Sequence, residues 1–165
     1  MPWTERPIEE RGLLNSSFCA VLLWYAALGH QSYPGTLMLP FETSFLVLPM
    51  ILHRETRESL PKTVATSLAV WLEENPLART RIAERARVLV PFTREALSFG
   101  GLHGFLVFSG GTVSADSRWK KKVDSTLRGC SDEVHICARG AEFLGKWFAK
   151  TGNAATVMEL FGVRP

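Results

Sequence analysis

The sequence predicts a mainly α-helical α+β fold, a helical bundle that contains a winged-helix-like portion and one β-hairpin. Two observations lead to this class. Residues 61–99 carry apolar side chains at helical spacing in three consecutive segments, and an apolar stretch with paired glycines, residues 103–116, follows them. Three helices followed by a hairpin are the elements of a winged helix. The length of 165 residues fits one domain. We divide it into a helical part (1–60), a winged-helix-like part (61–117) and C-terminal helices (118–165).

The first helix is predicted to run from Phe18 to Leu28 and to end at Gly29. Asn15, Ser16 and Ser17 precede it, and each could cap it by accepting hydrogen bonds from its free amides. Its apolar side chains surround nearly the whole circumference, which is typical of a helix enclosed on most sides. We therefore expect one of its sides to be covered by another subunit.

The second helix is predicted to begin near Pro40 and to reach about His53. A proline at the first helical position loses no hydrogen bond there, and Pro49 should make the helix irregular. The segments Phe18–Leu28 and Phe45–Leu52 are the most apolar of the chain, but both are too short to cross a bilayer, which takes about 18–20 residues.

The winged-helix-like part is predicted to contain three helices. The first begins at Lys62 or Thr63, the second is basic and runs from Pro76 to about Val88, and a short third opens at Pro91.

The hairpin is predicted to have strands at residues 105–108 and 112–115, joined by Gly110 and Gly111. Its continuous apolar run indicates burial on both faces. After it, helices are expected at residues 131–150 and 154–160.

Composition indicates a cytoplasmic protein. The first eleven residues lack the basic and apolar regions of a signal peptide, and three cysteines are an odd number for a disulfide framework. The net charge of +3 permits contact with DNA without requiring it.

No residue pattern marks a catalytic, cofactor-binding or metal-binding site. Cys130, His135 and Cys137 have ligand types that suit zinc, but a fourth ligand is missing nearby, so packing thiols are the favoured interpretation. The remaining histidines are scattered, and no serine lies in a nucleophile elbow. An unrecognised hydrolase therefore stays only a third hypothesis.

Basic residues after the hairpin could contact the DNA backbone; they are Arg118, Lys120, Lys121 and Lys122. The arginines of the helix that opens at Pro76 are better interpreted as a solvated face. The basic run and the hairpin together support an alternative function, a stand-alone winged-helix DNA-binding regulator.

Three groups of segments together span most of the chain and carry motifs that are structural rather than catalytic. They are residues 15–20 with the apolar helix that follows, residues 39–49 with 52–61, and residues 90–100 with 160–165. Together they resemble the middle component of prokaryotic ABC three-component systems, the family that includes the small subunit of Lamassu defence complexes.

The resemblance implies a non-enzymatic adaptor that bridges an SMC-like, coiled-coil ABC ATPase to an effector subunit, often a nuclease, in defence against phages and plasmids. DNA would be sensed by the ATPase, and the adaptor would help restrain the effector until then. The expected adaptor binds no cofactor and is not associated with a membrane. The residues expected at the partner interface are Phe18, Leu22 and Trp24 on the first helix and His53, Arg54, Arg57 and Pro61 in a charged corner.

Overall fold

A computed structural model describes residues 14–35 and 38–164 of the chain. The prediction about a signal peptide concerns residues 1–11 and lies outside the described residues. Helices make up most of what is described, with 3-10 turns at residues 43–46 and 117–119. The α-helices are α1 (Ser16–Ser32), α2 (Val47–Ile51), α3 (Arg54–Ser59), α4 (Leu68–Glu74), α5 (Pro76–Leu102), α6 (Lys120–Leu127), α7 (Asp132–Thr151) and α8 (Ala154–Phe161).

A small antiparallel sheet accompanies the helices. Its strands are β1 (Leu39–Pro40), β2 (Leu106–Ser109) and β3 (Thr112–Ala115), in the spatial order β1-β3-β2. Gly110 and Gly111 form the turn between β2 and β3 and both have positive φ angles (56° and 75°), which glycine adopts without steric cost. The mainly helical α+β class that the sequence predicts is therefore confirmed.

Helix α1 lies at the centre of the core and packs against α7, α5 and β3. Asn15 caps it, because its side-chain oxygen accepts hydrogen bonds from the backbone amides of Ser17 and Phe18 (2.8 and 3.3 Å). The helix continues past Gly29, the residue at which the sequence predicted its end. Gly29 instead lies at the crossing with α7, where a Cβ atom would be 2.1 Å from the carbonyl oxygen of Glu142.

Three buried tryptophans hold connecting segments against the core. The indole N–H of Trp24 donates to the carbonyl of Asp116 (3.2 Å), and that of Trp147 donates to the carbonyl of Thr66 (2.7 Å). Trp71 donates in the same way to the carbonyl of residue 59 (2.9 Å). Because each buried N–H has a partner, these large side chains are enclosed without an unpaired donor.

Helix α5 corrects the prediction of two separate helices in this region. It continues through Pro91 for 27 residues. Pro91 removes one backbone hydrogen bond and would usually break a helix interior. It lies on the exposed side of α5, where water can bind the carbonyl that the proline leaves free. The second and third helices of the predicted winged-helix-like part are thus one helix.

Three smaller predictions about element positions are also corrected. Pro40 belongs to β1 and does not start a helix, and residues 43–51 are a 3-10 turn followed by the short α2. Helix α4 begins only at Leu68, capped by the Ser67 hydroxyl, which accepts from the Val70 amide (3.2 Å). The cap residue decides this boundary, because apolar spacing alone does not locate a helix start.

The hairpin is not buried on both faces. Leu106 and Val113 are buried, whereas Val107 is about half exposed. Alternate residues of a strand point to opposite faces, and the body of the protein covers only one face here. The C-terminal helices occur where they were predicted, with Ser131 as the cap of α7. Among the helices of the described residues, none has the combination of length and hydrophobicity that crossing a membrane requires.

Candidate partner interface

Two residues of the predicted partner interface are core residues. Leu22 and Trp24 are fully buried within the chain. The apolar side chains around α1 are covered by α5, α7 and β3, so a second subunit is not needed to enclose them. This corrects the expectation that these two side chains face a partner.

Phe18 and Arg57, two other residues of that prediction, line one groove between α1, α6 and α7. The groove has a volume of about 490 Å³ and a mostly apolar lining that includes Val21 and Leu52. Phe18 itself is only partly buried. The structure therefore keeps Phe18 available at the surface but separates it from His53, which does not line this groove.

The charged corner contains one helix cap and one exposed ion pair. The Nδ1 atom of His53 accepts a hydrogen bond from the Thr56 amide (3.3 Å) and so caps α3. Burial and the nearby Arg85 guanidinium lower the pKa of His53, which favours the neutral ring that this cap requires. Arg54 forms an exposed ion pair with Glu58 (2.8 Å).

Two arginines bind the backbone carbonyls where α2 ends inside the protein. Arg57 donates from Nη1 to the carbonyl of Ile51 (2.8 Å), and Arg85 donates from Nε to the carbonyl of Pro49 (3.0 Å). Carbonyls at a helix end have no partner in the helix, so these bonds satisfy groups that burial would otherwise leave unpaired. The side chain of Arg57 is only 7% exposed and also contacts Glu133 (3.2 Å). Arg57 therefore makes structural contacts within the chain, and that it also faces a partner stays a prediction.

The basic run after the hairpin makes mostly internal contacts. Arg118 binds Asp116 (2.7 Å between Nη2 and Oδ2), and Lys120 binds Asp124 (2.9 Å). Partial burial opposes the charged form of Asp124. Hydrogen bonds from Lys120 and from the Tyr25 hydroxyl (2.7 Å) outweigh that effect and hold the pKa of Asp124 below its usual value.

The other two lysines of the run differ from each other. The ammonium of Lys122 lies 4.9 Å from the centre of the Trp119 ring, a cation–π distance. Lys121 is exposed and has no hydrogen bond or ion pair within residues 14–35 and 38–164. Of the four residues predicted to contact DNA, Lys121 is therefore the one that has no such partner in the described part of the chain.

The thiols are not arranged as a metal site. Cys137 is buried and Cys130 is exposed, and no group of three or more potential ligands that could hold a metal ion occurs in the described part of the chain. Burial, with a smaller effect of Glu95, raises the pKa of Cys19 to about 12. Burial also raises the pKa of Cys137.

A groove that the sequence did not reveal lies between α5, the start of the 3-10 turn at residues 43–46 and the end of α8. It consists of two adjoining cavities of about 710 and 650 Å³. We call it the arginine groove. Its apolar lining residues are Phe41, Phe45, Ala86, Val90, Ala154, Ala155, Met158 and Val163, and its charged ones are Arg79, Arg87, Arg94, Arg164, Glu42 and Glu159.

The arginine groove is where three separate motif segments meet. Residues 39–42, 90–94 and 160–164 each contribute to its lining, although they are far apart along the chain. These segments belong to the groups that carry the resemblance described above. Their local patterns are structural, and only the folded chain shows that they form one surface.

The end of α8 shapes one side of this groove. Gly162 has a φ of +66°, and the amides of Gly162 and Val163 donate to the carbonyls of Glu159 and Met158 (2.9 and 3.1 Å). This pair of bonds is a Schellman cap, and it directs the following residues back over the helix end. A Cβ atom at Gly162 would lie 3.1 Å from the Arg79 guanidinium, so glycine also leaves room for that side chain.

Three large apolar side chains on one side of α5 are also exposed, although they are 11 and 14 residues apart and charged residues such as Glu84 lie between them on the same side. Leu77, Val88 and Leu102 are 63%, 69% and 86% exposed. At about 100° per residue they point in nearly the same direction, and they span roughly 37 Å of the helix. Arg87 and Arg94 point about 100° away from these three side chains by the same geometry. Helix α5 therefore presents two different surfaces, which we call the apolar stripe and the arginine groove.

The fold is that of a small, mainly helical α+β protein. A family model described as ABC-three component (ABC-3C) system Middle Component 3 matches residues 3–165, and the chain belongs to this family. A middle component is one part of a multicomponent system, so the chain works with other components of that system. Neither a curated protein nor a solved structure matches the chain.

Proposed function

We propose that the chain is the non-enzymatic adaptor of a defence complex of the Lamassu type, which acts against phages and plasmids. In this proposal it bridges an SMC-like, coiled-coil ABC ATPase to a nuclease-type effector and restrains the effector until the ATPase has sensed foreign DNA. The observation that carries the proposal is membership of a middle-component family over residues 3–165.

The two surfaces of α5 support a bridging role. A bridge needs separate contacts for separate partners, and the apolar stripe and the arginine groove lie on different sides of one helix. A helix of 27 residues is also long enough, at about 40 Å, to contact two proteins at once.

The proposal also covers three statements about the chain itself. We propose that it acts as a single domain, because α1 packs against elements from all three of its parts. We propose that it is cytoplasmic, which its free cysteines favour. We propose that it carries no catalytic residue of its own; His53 and Arg57, for example, are engaged in caps.

Pairwise and three-way co-expression with the ATPase and effector of the same system tests the adaptor function. We expect the chain to co-purify with each partner separately. We also expect the assembled effector to cleave plasmid DNA more slowly than the isolated effector, and to recover its rate when the ATPase engages foreign DNA. A chain that stays monomeric beside both partners, or an effector whose rate is the same free and assembled, would contradict the proposal.

The alternative, a stand-alone DNA-binding regulator, is less well supported because three of the four predicted phosphate contacts already have a partner in the chain, through two surface ion pairs and one cation–π contact. Lys121 is the residue that favours it. Binding of duplex DNA by the isolated chain, with an affinity that falls steeply with salt, would support this alternative. We expect no such binding.

A further inference from the structure

We propose that the arginine groove binds an acidic, amphipathic peptide segment of another component of the system. The inference rests on the proposed adaptor function and adds the site and the chemistry of the partner. It is carried by an apolar floor and by an excess of arginines around it, two of which, Arg87 and Arg94, have no partner in the described part of the chain.

The charges around the groove are unbalanced. At the end formed by Arg87, Arg94 and Arg164, the carboxylate in the lining is that of Glu42. Arg87 and Arg94 are exposed and have no hydrogen bond or ion pair within the described part of the chain. By contrast, Arg79 at the other end contacts the carbonyl of Glu159 (3.5 Å). Glu159 is the second acid of the groove and lies at the Arg79 end, so three arginines face one acid at the Arg87 end, and this excess of positive charge favours a partner with negative charge.

The spacing of the arginines suits a peptide that lies along α5. Arg79, Arg87 and Arg94 are separated by intervals of about 12 and 10.5 Å along the helix axis, by the rise of an α-helix. Ala86 and Val90 lie between them and form part of the floor. A segment with acids on its edges and large apolar side chains on its inner face would match both features, because its apolar side chains would leave water as its acids meet the arginines.

The floor favours a peptide over a nucleic acid. Phe41 and Phe45 contact each other edge to face, with ring centres 5.4 Å apart, so they do not form an open platform for base stacking. The rest of the floor is aliphatic, with Val90, Met158 and Val163. A sugar–phosphate backbone bound to the arginines would leave this apolar surface without a partner.

An array of overlapping peptides covering the sequences of the ATPase and the effector tests the proposal. The full chain is applied as wild type, as Arg87→Glu/Arg94→Glu, and as the matched control Arg81→Glu/Arg128→Glu. The control has the same net charge, and both of its positions are exposed and outside the groove. Equal thermal midpoints of the two variants establish that both are folded.

We expect the wild type and the control to bind segments with net negative charge and at least two large apolar side chains. The Arg87→Glu/Arg94→Glu variant should bind them at least ~10-fold more weakly. Binding to basic or neutral segments, no binding to any segment, or equal binding by both variants would overturn the proposal. Loss of duplex DNA binding in place of peptide binding would identify a nucleic-acid site and would also overturn it.

Size-exclusion chromatography of the three co-expressed components distinguishes an error in the groove inference from an error in the proposed adaptor function. If the wild type assembles with both partners and Arg87→Glu/Arg94→Glu assembles equally well, the groove inference is wrong and the adaptor function stands. If the wild type itself does not assemble, the adaptor function is wrong.

Discussion

The crossing of α1 and α7 gives the sharpest prediction about stability. A Cβ atom at Gly145 would lie 1.9 Å from the carbonyl oxygen of Ala26 and 2.7 Å from the amide nitrogen of His30. The first distance is about 1.5 Å short of the 3.4 Å at which ordinary van der Waals contact begins. Both obstacles are backbone atoms of α1, so no side chain can rotate away and the two helices would have to separate.

We expect Gly145→Ala to destabilise the protein by about 2 kcal/mol. Overpacking typically destabilises a protein by about 1–3 kcal/mol. Because the obstacle here is backbone that cannot rotate away, we expect a cost of about 3 kcal/mol at this site. Replacing a helical glycine by alanine recovers about 1 kcal/mol. For a chain of this size, a net loss of about 2 kcal/mol lowers the thermal midpoint by roughly 4–8 °C, as followed by circular dichroism.

Gly140→Ala is the matched control on the same helix. Its Cβ atom would meet the flexible end of Ile51, at 2.9 Å from Cδ1, which can move aside. We expect this variant to stay within about 1 kcal/mol of the wild type. A Gly145→Ala protein that melts at or above the wild-type midpoint, or a Gly140→Ala protein that loses as much stability, would refute the reasoning.

Two further predictions concern thiols and acid stability. In the native protein Cys130 should react quickly with a thiol reagent such as DTNB, while burial and raised pKa values protect Cys19 and Cys137; in guanidinium chloride all three should react. Fast reaction of two or three thiols in the native state would contradict this burial. The pKa of Asp124 is lowered by folding, so its contribution to stability is present above its unfolded pKa and is lost as pH falls through its folded pKa. Asp124→Asn should therefore lose less stability between about pH 5 and pH 3 than the wild type, and an equal loss in thermal scans would count against the pairing with Tyr25.

Local signals in the sequence located several elements correctly. Asn15 and Ser131 cap the helices that they precede, and paired glycines mark the hairpin turn. These features depend on a few neighbouring residues, so they can be recognised without the fold. Pro91 shows the limit of such signals: a proline usually interrupts a helix, but its cost depends on whether water reaches the carbonyl that it frees.

The candidate surfaces depend on contacts between distant residues. An apolar helix such as α1 can be covered by its own chain or by another subunit, and only the packing of α7 and β3 on it decides that Trp24 is core. Arg57 and Arg85 were expected at the surface, yet they bind the carbonyls at the end of α2. Sequence spacing does not show which buried carbonyls need a donor.

The arginine groove is the clearest feature that the sequence could not show. Phe41, Arg94 and Val163 lie in three different motif segments and meet only in the folded chain. Nothing in any one segment indicates a binding surface, because the arginines also fit a solvated helix face. Each of these segments contributes to the family resemblance. The resemblance does not give their positions in space, so it does not show that they form one surface.

The mass of the complex formed by the three components tests the adaptor function most directly. Size-exclusion chromatography with light scattering should be performed on the ATPase and the effector with and without this chain. We predict one species that contains all three proteins when the chain is present, and separately eluting ATPase and effector when it is omitted. Co-elution of the ATPase and the effector without the chain, or elution of the chain as a free monomer beside them, would contradict the account.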